Sequence, residues 1–193
     1  MIKKNNLFRG LITAGICLLV LTGCGNGTVQ ETEKLSASAA DPEFMSFEPV
    51  RDIYGNEADL GELIAENDLT MINVWGTFCG PCLSEMPDIE ALYEKYEQRG
   101  FCVVGLTCDV LDDSDDSVQN SEMNDAKRIA EELNITYPLL AETSEMKEEI
   151  KTYAVPTTYF VNSSGEIQGE PLVGSRTRTE WESRISDLLD KVN

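Results

Sequence analysis

Two cysteines, Cys79 and Cys82, stand between an apolar run and an amphipathic segment, and this setting sharply narrows the possible folds. The run at 69–75 is almost continuously apolar, which is typical of a strand buried on both faces. In the segment at 81–100 apolar residues recur at helical spacing, and the segment ends with a basic residue and a glycine, as helices often do. The pattern predicts that a central strand passes directly into a helix at the cysteine pair.

Strand and helix patterns alternate along the rest of the chain. An opening strand or hairpin is expected after Phe44, around the turn sequence Tyr54-Gly55-Asn56. The further predicted strands are 101–107, 137–140, 157–161 and 166–171, and the further predicted helices are 59–67, 121–133, 145–153 and 179–192. This order predicts an α/β fold with a central mixed sheet flanked by helices and an N-terminal hairpin extension.

The N-terminus has the composition of an export signal. Basic residues precede the apolar run 10–21, and small residues follow it before Cys24. About a dozen apolar residues are too few to span a bilayer comfortably, since a spanning helix needs roughly 20. The sequence at 21–24, Leu-Thr-Gly-Cys, resembles the lipobox of bacterial lipoproteins, so we expect residues 1–23 to be a signal peptide and Cys24 to be lipidated. The alternative is an ordinary secretory signal with an incidental cysteine.

The segment 24–43 is small and polar, and it cannot bury enough apolar surface to fold alone. We interpret it as a flexible tether, and residues 44–193 as one folded domain. The formal net charge of −20 makes nucleic acid and anionic lipid surfaces poor partners. The same charge can steer basic protein substrates toward the domain, or it can serve only solubility.

Four of the six cysteines lie in the predicted domain, and the chain has no histidine. The lack of histidine excludes Cys-His catalytic pairs, histidine metal ligands and haem attachment through CxxCH. Cys102 lies on the predicted strand 101–107 and Cys108 at its end, so an extended chain puts them roughly 20 Å apart, far beyond the bridging limit of about 7 Å. We expect Cys102 to be a small core residue, whereas Cys108, at the same sheet edge as Cys79, is either a third redox-active thiol or a spectator.

The position of Cys79 at the start of the predicted helix favours its thiolate. Unpaired backbone amides and the helix dipole stabilise negative charge there, which lowers the pKa of the thiol. Only the thiolate attacks a disulfide, so Cys79 is the predicted nucleophile and Cys82 the thiol that resolves the mixed disulfide. Pro81 suits a first helical turn, because its nitrogen carries no hydrogen in need of a partner.

Around the pair the chain reads Asn73-Val74-Trp75-Gly76-Thr77-Phe78-Cys79-Gly80-Pro81-Cys82, followed by Glu85-Met86-Pro87. This sequence resembles the TlpA/ResA-like branch of the thioredoxin superfamily. The resemblance covers about 44–193 and implies a thioredoxin-like fold. The family more often has tryptophan at the position of Phe78, and thioredoxins proper carry a buried acid at the position of Asn73, so that proton acceptor is missing here.

The resemblance also implies a role for Glu85, because it matches an acidic residue that this branch uses near the cysteines. A carboxyl beside an apolar site has a raised pKa, which suits it to exchange protons with Cys82 near neutral pH. The alternative is that Glu85 is only a solvated residue favoured by the helix dipole.

The sequence Ala154-Val155-Pro156-Thr157-Thr158 resembles the cis-proline loop of the superfamily, which faces the cysteine pair. By this resemblance Val155 offers backbone groups to a substrate strand, and Pro156 keeps a hydrogen-bond donor and a metal ligand out of the site. An ordinary trans proline that opens a strand is the alternative. Contacts with substrate are expected for Phe78, Gly80, Pro81 and Val155.

The acidic stretch 109–116 raises the question of calcium binding. It lacks the glycine and the distal glutamate of the usual calcium loop, so we interpret it as a solvated insertion.

The predicted activity is disulfide exchange on exported proteins, without a cofactor, by a monomer anchored at the membrane. Gly80 and Pro81 between the cysteines resemble reducing thioredoxins, so we expect reduction, with electrons from a membrane donor of the CcdA/DsbD type. Cytochrome c maturation and general thiol repair are two possible pathways. A disulfide-forming oxidase, a thiol peroxidase and a non-catalytic binding lipoprotein remain alternatives; the peroxidase requires Thr-x-x-Cys, whereas Thr77 lies two residues before Cys79.

Overall fold

The computed structural model describes residues 41–192 of the chain. The predicted signal peptide, Cys24 and nearly all of the predicted tether lie outside the described residues. The helices are α1 (Leu60–Ala65), α2 (Gly80–Tyr96), α3 (Asn120–Leu133), α4 (Ser144–Ile150) and α5 (Arg178–Val192), with a short 3-10 helix (Glu97–Arg99) after α2. The strands are β1 (Val50–Arg51), β2 (Glu57–Ala58), β3 (Leu69–Trp75), β4 (Phe101–Thr107), β5 (Leu139–Ala141), β6 (Thr157–Asn162) and β7 (Leu172–Val173).

A five-stranded mixed sheet forms the centre, in the order β5-β4-β3-β6-β7. Strands β3, β4 and β5 are parallel, whereas β6 is antiparallel to β3 and β7 is antiparallel to β6. Every residue of β3 and β4 is buried, as their continuous apolar runs predict for central strands with both faces covered.

Helices cover both faces of the sheet. One hydrophobic cluster joins the sheet to α2, α3 and α5, through side chains such as Met86, Ile129 and Trp181. A second cluster on the other face includes Ile64 of α1 and Met146 of α4. The predicted fold class, a mixed sheet between layers of helices, is confirmed.

The N-terminal extension is a short hairpin in which β1 pairs with β2 in an antiparallel register. Its turn is stabilised by Asp52, whose carboxylate accepts hydrogen bonds from the backbone amides of Tyr54 and Asn56 at 2.9 and 2.8 Å. The Ile53 amide donates to the Leu139 carbonyl at 2.9 Å, which attaches the hairpin to the β5 edge of the sheet. The predicted hairpin is confirmed.

The predicted strand at 166–171 is wrong. Only Ile167 forms an isolated bridge there, opposite Val161, and the edge strand lies further on, at β7. Gly165 and Gly169 both have positive φ, of 79° and 92°, and such residues turn the chain out of an extended conformation. Gly169 therefore ends the extended conformation inside the predicted strand.

Three connections meet at the carboxyl end of β3, and they form the candidate site. Residues 76–79 lead from β3 into α2, and the Cys108 amide after β4 donates to the Trp75 carbonyl at 2.9 Å. Strand β6 begins at Thr157, opposite Val74, which brings the segment before it to the same edge. Among residues 41–192, none of the helices has the length and apolar content needed to cross a membrane.

Candidate active site

Cys79 and Cys82 form a disulfide at the start of α2, with their Cα atoms 5.3 Å apart. Cys79 is the N-cap residue of the helix, and its Sγ accepts a hydrogen bond from the Cys82 backbone amide at 3.2 Å. Gly80 and Pro81 between them occupy the exposed first turn. Cys79 is 5% exposed and Cys82 is fully buried. The first sulfur is thus the one that a protein substrate can reach, in keeping with the predicted order of attack.

Asp109 fixes the segment 76–78, which leads from β3 to the cysteine pair. The Asp109 carboxylate accepts hydrogen bonds from the Thr77 amide at 3.0 Å and from the Thr77 hydroxyl at 2.5 Å. The next residue, Phe78, is not held in the core and is 71% exposed. This anchor presents an aromatic side chain to solvent immediately before Cys79.

The Val155–Pro156 peptide bond is cis, which confirms the geometry expected for this loop. The Pro156 carbonyl accepts a hydrogen bond from the Gly174 amide at 2.8 Å, and the Thr157 hydroxyl donates to the Ala154 carbonyl at 2.6 Å. Val155 packs against the hydrophobic cluster that contains both cysteines, and it lines the same cavity as Phe78. The structure thus brings the predicted substrate contacts together, while their roles stay predictions.

Exposed apolar side chains flank the proline loop and its partner Gly174 along the chain. Tyr153, two residues before Val155, is 93% exposed, and Val173, next to the glycine that bonds Pro156, is 61% exposed. Large exposed apolar groups around one site often mark a contact surface for another molecule. Phe78, Tyr153 and Val173 are thus exposed apolar residues in or next to the segments that carry the disulfide and the proline loop.

Glu85 is 2% exposed, so the alternative that it is a solvated helix residue is wrong. Its Oε2 accepts hydrogen bonds from the Arg176 backbone amide at 3.0 Å and from the Trp181 Nε1 at 3.1 Å. Its Oε1 accepts one from the Asn73 side-chain amide at 3.2 Å. Burial raises the pKa of Glu85 above its ordinary value, although these donors and the Arg176 charge act in the opposite direction.

Asn73 connects the strand to this buried acid. Its amide nitrogen also donates to the Thr158 hydroxyl at 3.0 Å, so β3, β6 and α2 share one polar network. Thioredoxins proper carry an acid at the position of Asn73, and this chain does not. Instead, the carboxyl group of Glu85 in α2 lies within hydrogen-bonding distance of the Asn73 side chain.

The sequence reasoning missed Trp181 and Arg176, which hold the Glu85 carboxylate from 96 and 91 residues away. Trp181 falls on the predicted terminal helix, where its spacing indicates only a core position. No local signal in the sequence relates either residue to Glu85.

Cys102 and Cys108 are free thiols. Cys102 is buried, as predicted for a core residue. Burial raises the pKa of Cys108 to about 12, and the carboxylates of Glu142 and Asp109 add to the effect. A thiol with so high a pKa is almost entirely protonated at neutral pH, which disfavours a third redox-active cysteine.

The acidic stretch 109–116 has more internal structure than a solvated insertion needs. Asp112 accepts from the Ser114 amide and from the Gln119 side chain, and Asp116 accepts from the Ser144 amide at the start of α4. Residues 113–115 are exposed, as expected. Within the described part of the chain, acidic and cysteine side chains form no group of three or more arranged to hold a metal ion.

Comparisons with known proteins agree with this geometry. A model of the AhpC/TSA family matches residues 40–169. The thiol-disulfide oxidoreductase ResA of Bacillus thuringiensis subsp. konkukian is 27% identical over 190 residues, which cover 96% of this chain and 98% of that protein.

Solved structures agree on the fold. A thiol:disulfide interchange protein of the thioredoxin family from Chlorobium tepidum has a TM-score of 0.62 and 22% identity, covering 78% of this chain and 98% of that one. StoA from Bacillus subtilis has a TM-score of 0.56 and 19% identity, covering 74% and 98%. The thioredoxin-like fold and the resemblance to ResA-like proteins are confirmed.

Proposed function

Since the chain belongs to the AhpC/TSA family, we propose that it is a thiol-disulfide oxidoreductase that reduces disulfides in exported proteins. The observation that carries this proposal is the Cys79–Cys82 disulfide, which caps α2 beside the loop of cis Pro156. Phe78, Tyr153 and Val173 expose apolar side chains in or next to these segments, which supports a polypeptide substrate rather than a small polar one.

Catalysis starts from the reduced pair. The Cys79 thiolate attacks one sulfur of a client disulfide, forms a mixed disulfide and releases the other client sulfur as a thiolate. Cys82 then displaces the client from Cys79, so that two electrons pass to the client and the Cys79–Cys82 disulfide forms. The Cys82 amide and the positive end of α2 favour the starting thiolate.

Cys82 must lose a proton before it can attack, and we assign Glu85 as the group that accepts it. Glu85 follows Cys82 by three residues in α2, which puts both side chains on one face of the helix. Both are almost fully buried, where bulk water does not serve as the base. The raised pKa of Glu85 brings it closer to that of a thiol and to neutral pH, where proton exchange between the two is most effective.

The protein works outside the cytoplasm, as a monomer held at the cell membrane by lipid on Cys24. The export pattern at 1–23 and the lipobox-like sequence at 21–24 support this location. Each methylene of the lipid that enters the bilayer contributes about 0.8 kcal/mol, so several acyl chains hold a protein stably. The polar segment 24–43 then gives the domain reach over the membrane surface.

Gly80 and Pro81 between the cysteines support reduction as the direction of exchange. A reductase needs its own disulfide reduced again after each turnover, and a membrane electron donor of the CcdA/DsbD type fits this need. Clients include cytochrome c precursors before haem attachment and exported proteins whose thiols have become oxidised.

A peroxidase has less support from the site. The Thr77 hydroxyl, which would have to activate a peroxide, lies two residues before Cys79 and donates its hydrogen to Asp109 at 2.5 Å.

The proposal is tested by measuring the redox potential of the Cys79/Cys82 couple and by trapping clients on a Cys82→Ser variant. Without the resolving thiol, Cys79 should retain its clients as mixed disulfides that mass spectrometry identifies. A Cys108→Ser variant is the matched control, because it removes a thiol at the same sheet edge without touching the pair.

We expect a potential well below that of the surrounding compartment, where about 30 mV already changes the equilibrium tenfold. A potential well above it would identify a disulfide-forming oxidase. A Cys79→Ala variant without phenotype, together with no redox-dependent thiol labelling, would identify a binding lipoprotein.

A further inference from the structure

A cavity of about 520 Å³ lies between Phe78, the residue that directly precedes Cys79, and the acidic stretch. Its apolar wall includes Phe78 and Val155, which belong to the candidate active site. Its polar wall carries four carboxyl groups, those of Asp109, Asp112, Asp113 and Glu142. A client polypeptide that contacts Phe78 and Val155 therefore also reaches an acidic cavity.

Glu142 is the most unusual of these acids, because it is 2% exposed. Its backbone amide donates to the Thr107 carbonyl at 3.1 Å, which fixes the residue at the end of β5. Its side-chain Oε1 is buried and has no hydrogen-bond partner within residues 41–192. Buried polar atoms nearly always have a partner, so this carboxyl group points to a donor that a bound molecule supplies. Burial raises the pKa of Glu142 to about 7, whereas the charge of Lys147 acts in the opposite direction and that of Asp113 adds to the effect of burial.

The charges around the cavity do not balance. Lys147 is the one base among its described lining residues, and it forms an ion pair with Asp113. The hydrogen-bond donors to Asp109 come from Thr77, and those to Asp112 come from Ser114 and Gln119, all of them neutral. The charge of Lys147 also acts on Asp112 and Glu142, but among residues 41–192 no basic side chain forms an ion pair with Asp109, Asp112 or Glu142.

We propose that this cavity binds a lysine or arginine side chain of the client polypeptide, close to the cysteine under attack. The alkyl stem of such a side chain packs against Phe78 and Val155, and its charged end reaches Glu142 and Asp112. Because Phe78 lines the cavity and directly precedes Cys79, the basic residue lies within roughly three positions of the client cysteine, at about 3.3 Å for each extended residue. This inference rests on the proposed function, since it specifies which client disulfides are preferred.

The test uses the reduced full-length protein and synthetic peptides that each contain one intramolecular disulfide. The peptides are identical except that the residue two positions before or after a cysteine is lysine or glutamine. Rate constants for exchange are measured at low and high salt for the natural chain and for Glu142→Gln, Asp112→Asn and Glu148→Gln. Glu148 is the matched control, because it is an exposed acid of α4 outside the cavity.

We expect the natural chain to reduce a lysine peptide about tenfold faster than its glutamine partner, with the preference falling at high salt. The preference should drop to about threefold or less in Glu142→Gln and in Asp112→Asn, and it should persist in Glu148→Gln. If Glu142→Gln does not fold, the lysine preference of Asp112→Asn is the deciding measurement, because Asp112 is only partly buried. Equal rates for lysine and glutamine peptides, or a preference that survives both cavity variants, would overturn the inference alone. A protein that reduces neither peptide would overturn the proposed function itself.

Discussion

The indole nitrogen of Trp181 donates a hydrogen bond of 3.1 Å to the Glu85 carboxylate, and this contact joins α5 to the helix that carries the cysteine pair. Trp181 is fully buried and also packs against Phe160, with ring centroids 6.2 Å apart. The C-terminal helix therefore does more than complete the core, because it helps to set the ionisation of the acid nearest the pair in sequence.

Replacing Trp181 by phenylalanine should raise the pKa of Glu85 further. The indole donor stabilises the carboxylate, so its removal favours the protonated acid and moves the corresponding inflection of the exchange rate to higher pH. The lost partner of a buried charged group should also lower the free energy of unfolding by roughly 1–3 kcal/mol. A pH profile of peptide disulfide exchange and urea unfolding measure the two effects.

Trp75→Phe is the matched control for this experiment. Its indole nitrogen is equally buried but makes no hydrogen bond in the described part of the chain. An identical change in the pH profile of both variants would show that loss of packing, and not the bond to Glu85, is responsible.

Glu142 should make the protein less stable as the pH rises. Its pKa is about 7 in the folded protein against an ordinary value of 4.5, so between these values the folded state binds the proton more tightly than the unfolded state. The stabilisation is complete below about pH 4.5 and is lost as the pH rises through 7, at up to roughly 1 kcal/mol per pH unit. Urea unfolding at several pH values should give a shallower decline for Glu142→Gln than for the natural chain, whereas Glu145→Gln, at an exposed position, should follow the natural chain.

Cys108 should be the slow thiol of the reduced protein. With its pKa raised to about 12, it carries very little thiolate at neutral pH, whereas Cys79 lies at a helix start that favours the anion. Limited alkylation followed by mass spectrometry should label Cys79 orders of magnitude sooner than Cys108. Cys108→Ser should then keep the turnover and the mixed-disulfide products of the natural chain, and a changed product pattern would contradict the assignment.

Phe78→Ser should impair exchange with protein clients while sparing small disulfides. The ring is 71% exposed beside Cys79, so its main contribution is contact area with a large substrate and not stability of the fold. We expect a loss of about threefold to tenfold in the rate with a protein disulfide and little change with a small aromatic disulfide. Tyr54→Ser, which removes another exposed aromatic ring in the N-terminal hairpin, should alter neither rate.

Central strands were the easiest part of this fold to predict. The apolar runs at 69–75 and 101–107 are long enough to be buried on both faces, and they match β3 and β4 in the structure. The segment at 166–171 is harder, because the sequence alone does not reveal that Gly169 adopts a positive φ inside it.

The candidate site also has a part that the sequence predicts and a part that it does not. The cysteine pair and the proline loop stand in short motifs that a resemblance can recognise, whereas the partners of Glu85 come from distant parts of the chain. Glu142 lies outside any motif, and its burial becomes visible only when β5 is placed beside β4. Contacts between residues far apart in sequence depend on packing, which local patterns do not record.

The sulfur of Cys79 is also the hydrogen-bond acceptor that begins α2, so electron transfer and the first helical turn share one atom. An anionic sulfur accepts a hydrogen bond more strongly than a disulfide sulfur does, which ties reduction of the pair to a firmer helix start. Because the two equilibria are linked, any stability that reduction adds to this turn appears equally as a stronger tendency to be reduced. The redox potential of the cysteine pair therefore also reports the stability of the first turn of α2.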